Sequence, residues 1–523
     1  MLIRERFHEV HESAFREVVL PDLTNQTFIR QLFLGTENTS KPNQEVIDFF
    51  NRHPSYISNE KRHLGDRNIY SAAATKLITN LKNHLIINFP RFLKRYLYNA
   101  SLMIKEDAIQ TLYKIHGWQP RNEDVPTKEV EETSEEIRYI LGLEEGEDIT
   151  DVWLKDNLNA ILRLFVFVNR CLEERDLPLF NILPISKIKA HFITIDTSVF
   201  IGILKDIKLA KDIDKDLERD FWYSVFNIKK VAGRGKTFTG TIDTDGVVAN
   251  IHFQRPKPEK QETQVMNLKG KRVIGVDPGR TNIFQMVEQL EDGSFKEYKL
   301  SRNQYYAESG IFIARKRSEH WNMKLKNELN DLSLASPKST LVENFVVYRD
   351  TMIMHKESLW SEYLKKHWRQ QRFRLYGGKK RVFSKFLNRL GPLDNTVLAY
   401  GSAKFASGGR GEMSVPTSRA FKECSYRVKH VLVDEFRTSK IHWRDNSILH
   451  IVKKRNKDGS LSTVRGLLWC NSTNQEGGKF VNRDLNAAVN ILRCATLPSR
   501  PIILQRSRNQ ERIVQRLGKI INC

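Results

Sequence analysis

The chain has 523 residues, of which 40% are hydrophobic and 28% are charged, a composition typical of a globular protein with more than one domain. Its longest apolar run, residues 164–168, is far too short to span a bilayer, so we expect no membrane partner. Lys and Arg number 85 against 62 Asp and Glu, which gives a net charge of +23. This basic excess suits a polyanionic partner, and nucleic acid is the commonest one.

The first half of the chain predicts two regions of different secondary structure. After an N-terminal segment at 1–60, residues 61–185 carry apolar residues at three- and four-residue spacing, as in AATKLITNLKNHLIINF, which predicts helices. Between 186 and 270, stretches such as FTGTIDTDGVVANIHFQ alternate apolar and polar residues around Asp and Gly turns, which predicts strands. A charged linker, KPEKQETQ at 257–264, then indicates a domain boundary.

The second half predicts an α/β domain. About three strands are expected between 271 and 300, followed by helices at roughly 303–330 and 342–390. Next come a strand in TVLAYGSAKF, a helix near 417–428, a strand in VLVDEF, a hairpin from ILHIVKK to LLW, and a last helix near Asp484. Strands followed by alternating helices and strands indicate a mixed sheet flanked by helices.

Acidic residues in this domain lie where predicted elements begin or end. Asp277 ends the strand RVIGV, Asp434 and Glu435 end VLV, and Asp484 opens the helix in NRDLNAAVNIL. Each position has an ordinary alternative: a D-P-G turn, a solvent-facing strand end or a helix cap. In an extended VLVDEF, Asp434 and Glu435 lie on opposite faces, so only one of them can point towards Asp277. Alternation alone does not decide which one does.

Carboxylates on three separate elements are what two Mg²⁺ ions need for phosphodiester cleavage. One ion lowers the pKa of the attacking water, and the other stabilises the departing oxygen. Mg²⁺ takes oxygen ligands, which explains why no histidine or cysteine accompanies these acids. The pattern therefore predicts a magnesium site formed by Asp277, Asp484 and one acid of the VLVDEF segment.

The segment 365–389, KKHWRQQRFRLYGGKKRVFSKFLNR, contains ten Lys or Arg residues and no acid. Arginines can hold phosphates with paired hydrogen bonds, and aromatic side chains such as Phe373 and Tyr376 can stack on bases. This predicts binding to a nucleic-acid backbone without sequence readout, the alternative being a solvated basic helix. The residues assigned to this binding are Lys365, Lys366, Trp368, Arg369, Arg372, Arg374, Lys379, Lys380, Arg381 and Lys385.

Taken in order, the segments IGVDPGRTNIF, RFRLYGGKKRVFSKFLNRL, VLVDEFRTSK and NRDLNAAVNIL closely resemble the Fanzor proteins, eukaryotic relatives of the transposon-encoded TnpB nucleases. Two upstream segments, ISKIKAHFITIDTSVF and FTGTIDTDGVVANIHFQRP, are also similar to Fanzor segments. The resemblance covers about 184–494.

The resemblance implies an RNase H-like RuvC nuclease domain at 271–437 and 482–523, with a basic helical insertion at about 342–390. It implies an N-terminal lobe with a helical recognition part (61–185) and a β-barrel wedge (186–270), to which 1–60 is a candidate addition. It further implies an RNA-guided DNA endonuclease, in which an ωRNA pairs with target double-stranded DNA and Mg²⁺ drives cleavage. We expect a monomer in the ribonucleoprotein and action in the nucleus.

The resemblance also assigns the acids. Asp277 matches the first RuvC acid and Asp484 the last. Most TnpB proteins carry the middle acid on the strand that corresponds to TVLAYGSAKF, which contains none here. Many Fanzor proteins resemble this chain in placing a Glu on the strand before the zinc ribbon, which supports Glu435, with Asp434 as the second choice.

Residues 438–481 depart from the family pattern. Relatives read T-S-K-x-C-x-x-C here, with a second cysteine pair after a hairpin, whereas this chain has His442 and Asp445 at the first pair and only Cys470 at the second. Structural zinc normally takes four Cys or His ligands. We therefore expect a degenerate hairpin without functional zinc, in which these three residues are at most vestigial ligands.

Two other functions compete with an RNA-guided nuclease. A guide-dependent DNA-binding protein with weakened or lost cleavage is motivated by the degenerate ribbon. A guide-free structure-selective nuclease or transposase is disfavoured because transposases of the related fold more often order their acids Asp–Asp–Glu, whereas this chain reads Asp–Glu–Asp.

Overall fold

The computed structural model describes residues 1–7, 12–34, 41–53, 66–99, 103–117, 126–184, 188–189, 191–206, 218–233, 235–255, 268, 270–402, 415–471 and 478–506. These residues fall into two compact units, one within Met1–Lys257 and Asn322–Gln370 and the other within Pro258–Trp321 and Gln371–Gly518. The linker predicted at 257–264 lies outside the described residues. Among the described residues, no helix combines the length and the apolar content needed to cross a bilayer.

Helices and strands are numbered in chain order. The helices are α1 (Leu2–Phe7), α2 (Gln26–Leu34), α3 (Gln44–Arg52), α4 (Asp66–Asn99), α5 (Lys105–Ile115), α6 (Lys128–Leu141), α7 (Asp151–Asp156), α8 (Leu158–Glu174), α9 (Thr197–Asp206), α10 (Glu218–Val225), α11 (Ile228–Val231), α12 (Arg302–Glu308), α13 (Ile311–Asn322), α14 (Lys326–Leu334), α15 (Val342–Met354), α16 (Lys356–Tyr363), α17 (Lys366–Asn388), α18 (Thr417–Ser425) and α19 (Arg483–Thr496). The strands are β1 (Ile193–Ile195), β2 (Thr237–Thr244), β3 (Ala249–Gln254), β4 (Arg272–Asp277), β5 (Asn282–Gln289), β6 (Phe295–Ser301), β7 (Thr396–Gly401), β8 (Lys429–Val433), β9 (Leu449–Arg455), β10 (Leu461–Cys470) and β11 (Lys479–Asn482).

The first unit has a helical core around α8. The sequence of α8, LNAILRLFVFVNRCLEE, is apolar on most of its sides, so the helix is buried by its neighbours and does not lie on the surface. Phe92 of α4 stacks on Phe165 of α8 with ring centroids 3.7 Å apart and on Phe180 at 4.0 Å. The helices predicted within 61–185 are thus confirmed for the described residues.

A small antiparallel sheet with the strand order β1-β2-β3 also belongs to the first unit. Phe238 and Ile242 of β2 pack with Phe200 and Trp222 in a hydrophobic core separate from that of α8. The strands predicted after residue 186 are therefore present. The described residues form three strands here, and the barrel form of this region stays an expectation.

The segment Asn322–Gln370 groups with the first unit and not with the α/β unit. Its polar contacts explain the grouping. The Glu173 carboxylate at the end of α8 accepts hydrogen bonds from the backbone amide of Thr340 at 2.9 Å and from its hydroxyl at 2.8 Å. The guanidinium of Arg4 donates to the carbonyl of Ser339 at 2.9 Å. Part of the segment predicted as a basic insertion is thereby attached to the helical core.

The second unit is built on a five-stranded mixed sheet with the order β6-β5-β4-β7-β8. The pairs β6–β5 and β5–β4 are antiparallel, and the pairs β4–β7 and β7–β8 are parallel. Every residue of β7, TVLAYG, is buried, as expected for a central strand covered on both faces. The predicted α/β class is confirmed, and the sheet is compatible with an RNase H-like core.

Helices cover both faces of this sheet. On one face, α12, α17 and α18 contribute Tyr305, Phe383 and Cys424 to a core with Ile274 and Val276 of β4. On the other face lies α19, whose approach is unusually close at Gly275. A Cβ atom at Gly275 would lie 2.4 Å from the carbonyl oxygen of Ala488. The lack of a side chain at Gly275 therefore allows α19 to pack closely against the sheet.

The connection between β8 and α19 forms a second, three-stranded antiparallel sheet with the order β11-β10-β9. The predicted hairpin corresponds to β9 and β10, while β11, which leads directly into α19, was not predicted. The predicted strand VLVDEF is corrected: β8 ends at Val433. The Asp434 carboxylate accepts a hydrogen bond from the backbone amide of Phe436 at 3.2 Å, which turns the chain away from the sheet.

Candidate active site

The face of the sheet covered by α19 determines where the acids point. Gly275 of β4 faces α19, and because side chains two residues apart on a strand share a face, Asp277 points to the same side. Ala399 of β7 and Val433 of β8 pack against Ile491 of α19 on that side as well. The end of β4, the end of β7 and the start of α19 therefore meet at one place.

Asp484 lies in the first turn of α19 but does not cap the helix. The cap is Asn482, whose side-chain oxygen accepts hydrogen bonds from the backbone amides of Asp484 and Leu485, both at 3.1 Å. The Asp484 carboxylate is instead held by Asn282 of β5, whose Nδ2 donates to Oδ2 at 2.8 Å. Arg483 donates to the other oxygen from Nε at 2.9 Å and from Nη2 at 2.8 Å. These hydrogen bonds fix both oxygens of the Asp484 carboxylate. The residue as a whole is 8% exposed.

The structure separates the two acids that follow β8. Asp434 forms an ion pair with Arg506, whose Nε and Nη2 donate to its two oxygens at 2.6 Å and 3.0 Å. Glu435 follows Val433 on the side of the sheet that faces α19, and its carboxylate lies directly over Gly401. Of the two candidates for the middle acid, Glu435 is thus the one that the fold brings towards Asp277.

The pKa of Asp277 is raised by its burial and by the neighbouring acids. Part of the residue is accessible, but its carboxyl group is densely surrounded by protein. Burial raises the pKa of Asp277 well above its ordinary value, the charges of Glu435 and Asp484 raise it further, and Arg483 opposes them. Carboxylates brought together in this way cannot all ionise at low cost unless a cation joins them. Strongly perturbed acids in such clusters are candidates for functional sites.

The donor set fits magnesium. Asp277, Glu435 and Asp484 offer only carboxylate oxygens, which Mg²⁺ prefers and Zn²⁺ structural sites do not use. The three acids do not bring one oxygen each within 4.8 Å of one another; among the described residues, only His442, Asp445 and Cys470 do so with their ligand atoms. Ligands of a single Mg²⁺ lie within about 4 Å of one another, whereas two ions about 4 Å apart require a wider set. The fit of these three acids to magnesium therefore rests on the type of their ligand atoms and not on their spacing.

Several residues of the site were not assigned from the sequence. Asn282 lies in IGVDPGRTNIF and Arg483 in NRDLNAAVNIL. Those motifs indicated that the region is functional, but not that these two residues bind the Asp484 carboxylate. Gly401 lies in TVLAYGSAKF, and its closeness to the Glu435 carboxylate depends on tertiary packing. Burial raises the pKa of Tyr400, with smaller contributions from the charges of Cys424, Glu435 and Asp277. Its position beside these acids depends on the pairing of β7 with β4.

The structure also brings together His442, Asp445 and Cys470, here called the knuckle cluster. The Nδ1 atom of His442 lies 2.9 Å from Oδ1 of Asp445, and Ser447 donates to the same oxygen from its amide at 2.9 Å and its hydroxyl at 2.7 Å. The Ser447 hydroxyl lies 3.2 Å from the Cys470 sulfur. Burial acts to raise the pKa of Asp445, but the hydrogen bonds from Ser447 and His442 outweigh it and lower the pKa to about 2. This cluster is satisfied by its own hydrogen bonds.

The basic segment forms one helix, α17, preceded by Lys365, and its residues differ in their surroundings. Near its start, Lys365 and the Trp368 indole contact the Glu362 carboxylate, and Arg369 donates to the carbonyl of Asp245 at 2.8 Å. Farther along, Phe373 is 52% exposed and Tyr376 is 50% exposed. The remaining assigned residues all lie on this helix: Lys366, Arg372, Arg374, Lys379, Lys380, Arg381 and Lys385.

The exposed aromatic part of α17 carries cations close to a ring. The Nζ atom of Lys380 lies 4.9 Å from the centre of the Tyr376 ring, and the guanidinium carbon of Arg419, from α18, lies 5.3 Å from it. Burial lowers the pKa of Lys379, and the neighbouring charge of Arg419 lowers it further. Such crowding of positive charge around an exposed ring suits an anionic partner that can also stack.

In comparisons with known proteins, no protein-family model and no curated protein matches this chain.

Proposed function

We propose that this chain is an RNA-guided DNA endonuclease with an RuvC-like active site, which takes an ωRNA as guide and cuts double-stranded DNA with two Mg²⁺ ions. The observation that carries the proposal is the meeting of Asp277, Glu435 and Asp484 on one face of a mixed sheet compatible with an RNase H-like core. The guide, the transposon origin and action in the nucleus rest on the motif resemblance to Fanzor proteins. The net charge of +23 agrees with nucleic-acid partners.

Asp277, Glu435 and Asp484 would hold the metal ions, which supply an activated water and stabilise the departing oxygen when bound. Asp277 contributes a carboxylate on the end of a buried strand, where its position is fixed by pairing with β5 and β7. Asn282 orients the carboxylate of Asp484 through its 2.8 Å hydrogen bond. Such support keeps the ligands within the narrow geometry that phosphodiester cleavage needs.

The assigned residues of the basic segment would contact phosphates of the guide or the target. Arg372, Arg374 and Lys380 share α17 with the half-exposed rings of Phe373 and Tyr376, so phosphate contacts and base stacking are available on one element. Contacts of this type predict steep salt dependence and little sequence preference. Sequence recognition would come from pairing with the guide.

The test is cleavage of double-stranded DNA that matches the RNA co-purified with the protein from its native host. Purified ribonucleoprotein with Mg²⁺ should cut the matching duplex and leave a scrambled duplex intact. The Asp277→Ala protein, loaded with the same RNA, should bind the target and not cut it. Equal cleavage by wild-type and Asp277→Ala protein would show that the acids are not the active site.

A second candidate function is guide-dependent DNA binding with weakened cleavage. One observation favours it: Arg483 places a cation of the chain itself on Asp484, donating twice to the same oxygen. A guanidinium held there competes with a metal ion for that carboxylate. Tight guide-dependent binding without cleavage over a range of Mg²⁺ and Mn²⁺ concentrations would support this candidate over the nuclease.

A further inference from the structure

Arg483 places a positive charge inside the carboxylate site. It is the first residue of α19, and its guanidinium donates to Oδ1 of Asp484 from Nε at 2.9 Å and from Nη2 at 2.8 Å. Burial and two neighbouring acids raise the pKa of Asp277, and the charge of Arg483 opposes them, so its field reaches that residue as well. A cation of the chain itself therefore contacts an acid that the proposed site would offer to a metal ion.

The contact between Arg483 and Asp484 is not one that a helix makes by its own geometry. Side chains that face each other on a helix are three or four residues apart, whereas these two residues are adjacent. A cation in the first turn of a helix is also disfavoured by the helix dipole, whose positive end lies there. The Asp484 carboxylate is thus the group that makes this position favourable for Arg483.

The pair is arranged so that the guanidinium can leave without disturbing the carboxylate. Strong arginine–carboxylate pairs use both oxygens in parallel hydrogen bonds. Here both arginine donors go to Oδ1 of Asp484, because Asn282 donates to Oδ2 at 2.8 Å. The Asp484 side chain is 11% exposed and the Arg483 side chain is 45% exposed. Asn282 therefore keeps the buried carboxylate in place, while the arginine is accessible to solvent and can rotate away.

We propose that Arg483 is an exchangeable counter-cation of the active site. In the protein without metal ions, its guanidinium neutralises Asp484; once Asp484 binds a divalent ion, the guanidinium is released and binds a phosphate of the DNA strand. The first part requires only that Asp484 binds a divalent ion, and the second part rests on the proposed nuclease function. Arginine suits the second role because its planar guanidinium can bind phosphate through two parallel hydrogen bonds.

The exchange predicts opposite effects of Arg483 on metal binding and on DNA cleavage. Without the guanidinium, a divalent ion reaches Asp484 without displacing a competing cation, so metal binding becomes tighter. Cleavage at saturating metal becomes slower, because a positive group that contacts the phosphate is lost. A residue that only held Asp484 in position would behave differently, since its removal would weaken both metal binding and cleavage.

The experiment compares Arg483→Gln and Arg483→Lys with the wild type. Mn²⁺ binding to the full-length protein without nucleic acid is measured by isothermal titration calorimetry. We expect Arg483→Gln to bind Mn²⁺ about fivefold more tightly, a modest factor because the ion pair is partly exposed. Guided DNA cleavage at saturating Mn²⁺ should fall by at least about tenfold in Arg483→Gln. Arg315→Gln is the control for Mn²⁺ binding, because it removes the same charge from an exposed pair with Glu319.

Thermal melting gives a readout that does not depend on cleavage. In EDTA, Arg483→Gln should melt below the wild type, because the buried carboxylate of Asp484 loses its counter-cation. At saturating Mn²⁺ the difference should disappear, because the guanidinium has then left Asp484 in the wild type too. A difference of equal size in EDTA and in Mn²⁺ would overturn the exchange.

The outcomes separate this inference from the proposed function. Mn²⁺ binding that is unchanged or weaker in Arg483→Gln would overturn the exchange, whatever the cleavage result. Tighter Mn²⁺ binding together with unchanged cleavage would overturn the release to phosphate. Tighter Mn²⁺ binding, in a protein whose wild type cuts no guided target, would support the exchange and contradict the nuclease proposal.

Arg483→Lys decides if Arg483→Gln does not fold in EDTA. An ammonium group keeps the charge but lacks the planar fork of donors, so it should hold Asp484 less firmly and bind phosphate less well. We expect Arg483→Lys to bind Mn²⁺ about twofold more tightly than the wild type and to cleave more slowly. Mn²⁺ binding no tighter than that of the wild type would overturn the exchange in this variant as well.

Discussion

The carboxylate site and the knuckle cluster belong to the same unit and invite a comparison, since each gathers three groups that can bind metal. In the knuckle cluster, Asp445 is stabilised as an anion by Ser447 and His442, and its pKa falls to about 2. In the carboxylate site, burial and two neighbouring acids raise the pKa of Asp277. The tighter cluster is the one whose polar groups are already satisfied. The two clusters therefore differ in how far their own residues balance the negative charge of their acids.

The backbone of the knuckle is also held without a metal. Asn486 and Asn490 of α19 are buried, and each donates from Nδ2 to the carbonyl oxygens of Thr438 and Ile441 at 2.7–2.9 Å. These amides fix the turn that precedes His442 from outside the cluster. The persistence of the hairpin sheet thus has a physical cause in α19.

The largest effect is expected from Asp277→Asn, which removes a metal-binding charge and keeps the shape of the side chain. Cleavage should fall by about 1,000-fold or more, because no other group at the end of β4 can replace the charge. In the absence of divalent ions, the free energy of unfolding should rise by more than about 1 kcal/mol, because a buried, repelled carboxylate is gone. Single-turnover kinetics and thermal melting in EDTA measure the two effects.

The matched control for this variant is Asp292→Asn, at an exposed turn where no other acid contributes to the shift of the pKa. Its cleavage rate should equal that of the wild type. If Asp277→Asn loses stability and keeps full cleavage, Asp277 is neither a repelled carboxylate nor a metal ligand.

The adjacent acids Asp434 and Glu435 are expected to respond differently to loss of their charge. Glu435→Gln should lower cleavage by about 100-fold or more and weaken Mn²⁺ binding. Asp434→Asn should leave Mn²⁺ binding unchanged and slightly lower the melting temperature, because it weakens the ion pair with Arg506. The reverse pattern would make Asp434 the middle acid.

Removing an amide from α19 tests how the knuckle is held. Asn490→Ala should lower the free energy of unfolding by about 1 to 3 kcal/mol, since the buried carbonyls of Thr438 and Ile441 each lose a donor. Chemical denaturation measures the change, and added zinc should not restore stability. Zinc-dependent recovery would show that the knuckle is a metal site.

The pH dependence of stability should reveal Asp277 in the protein without divalent ions. Its pKa is raised in the folded state, so the folded state binds more protons than the unfolded chain above the ordinary Asp range. Stability contributed by protonation is present below the unfolded pKa and is lost as the pH rises through the folded pKa. Melting temperatures from pH 4 upwards should fall more steeply for the wild type than for Asp277→Asn, and equal slopes would contradict this assignment.

The smallest effects are expected at the knuckle cluster. Purified protein should contain zinc well below one equivalent by elemental analysis, since Asp445 and a single cysteine replace the usual ligands. Asp445→Asn should cost about 1 kcal/mol or less, because its side chain is 41% exposed and the pair with His442 is screened by water. One equivalent of zinc in the purified protein would show that the knuckle cluster is a metal site.

The sequence by itself determined most of the second unit. Apolar strands, helical spacing and turn residues located β4 to β10 and the final helix. The candidate acids lay at the ends of these elements. These features are local or depend on residue size, so they are readable along the chain.

Only the tertiary structure decided which acid belongs with Asp277. Alternation places Asp434 and Glu435 on opposite faces, but the choice depends on which face α19 covers, and α19 is about 50 residues away in sequence. The position of the Glu435 carboxylate over Gly401 also emerges only from the course of the chain after Val433. Long-range packing sets these relations, and no local pattern of apolar and polar residues encodes them.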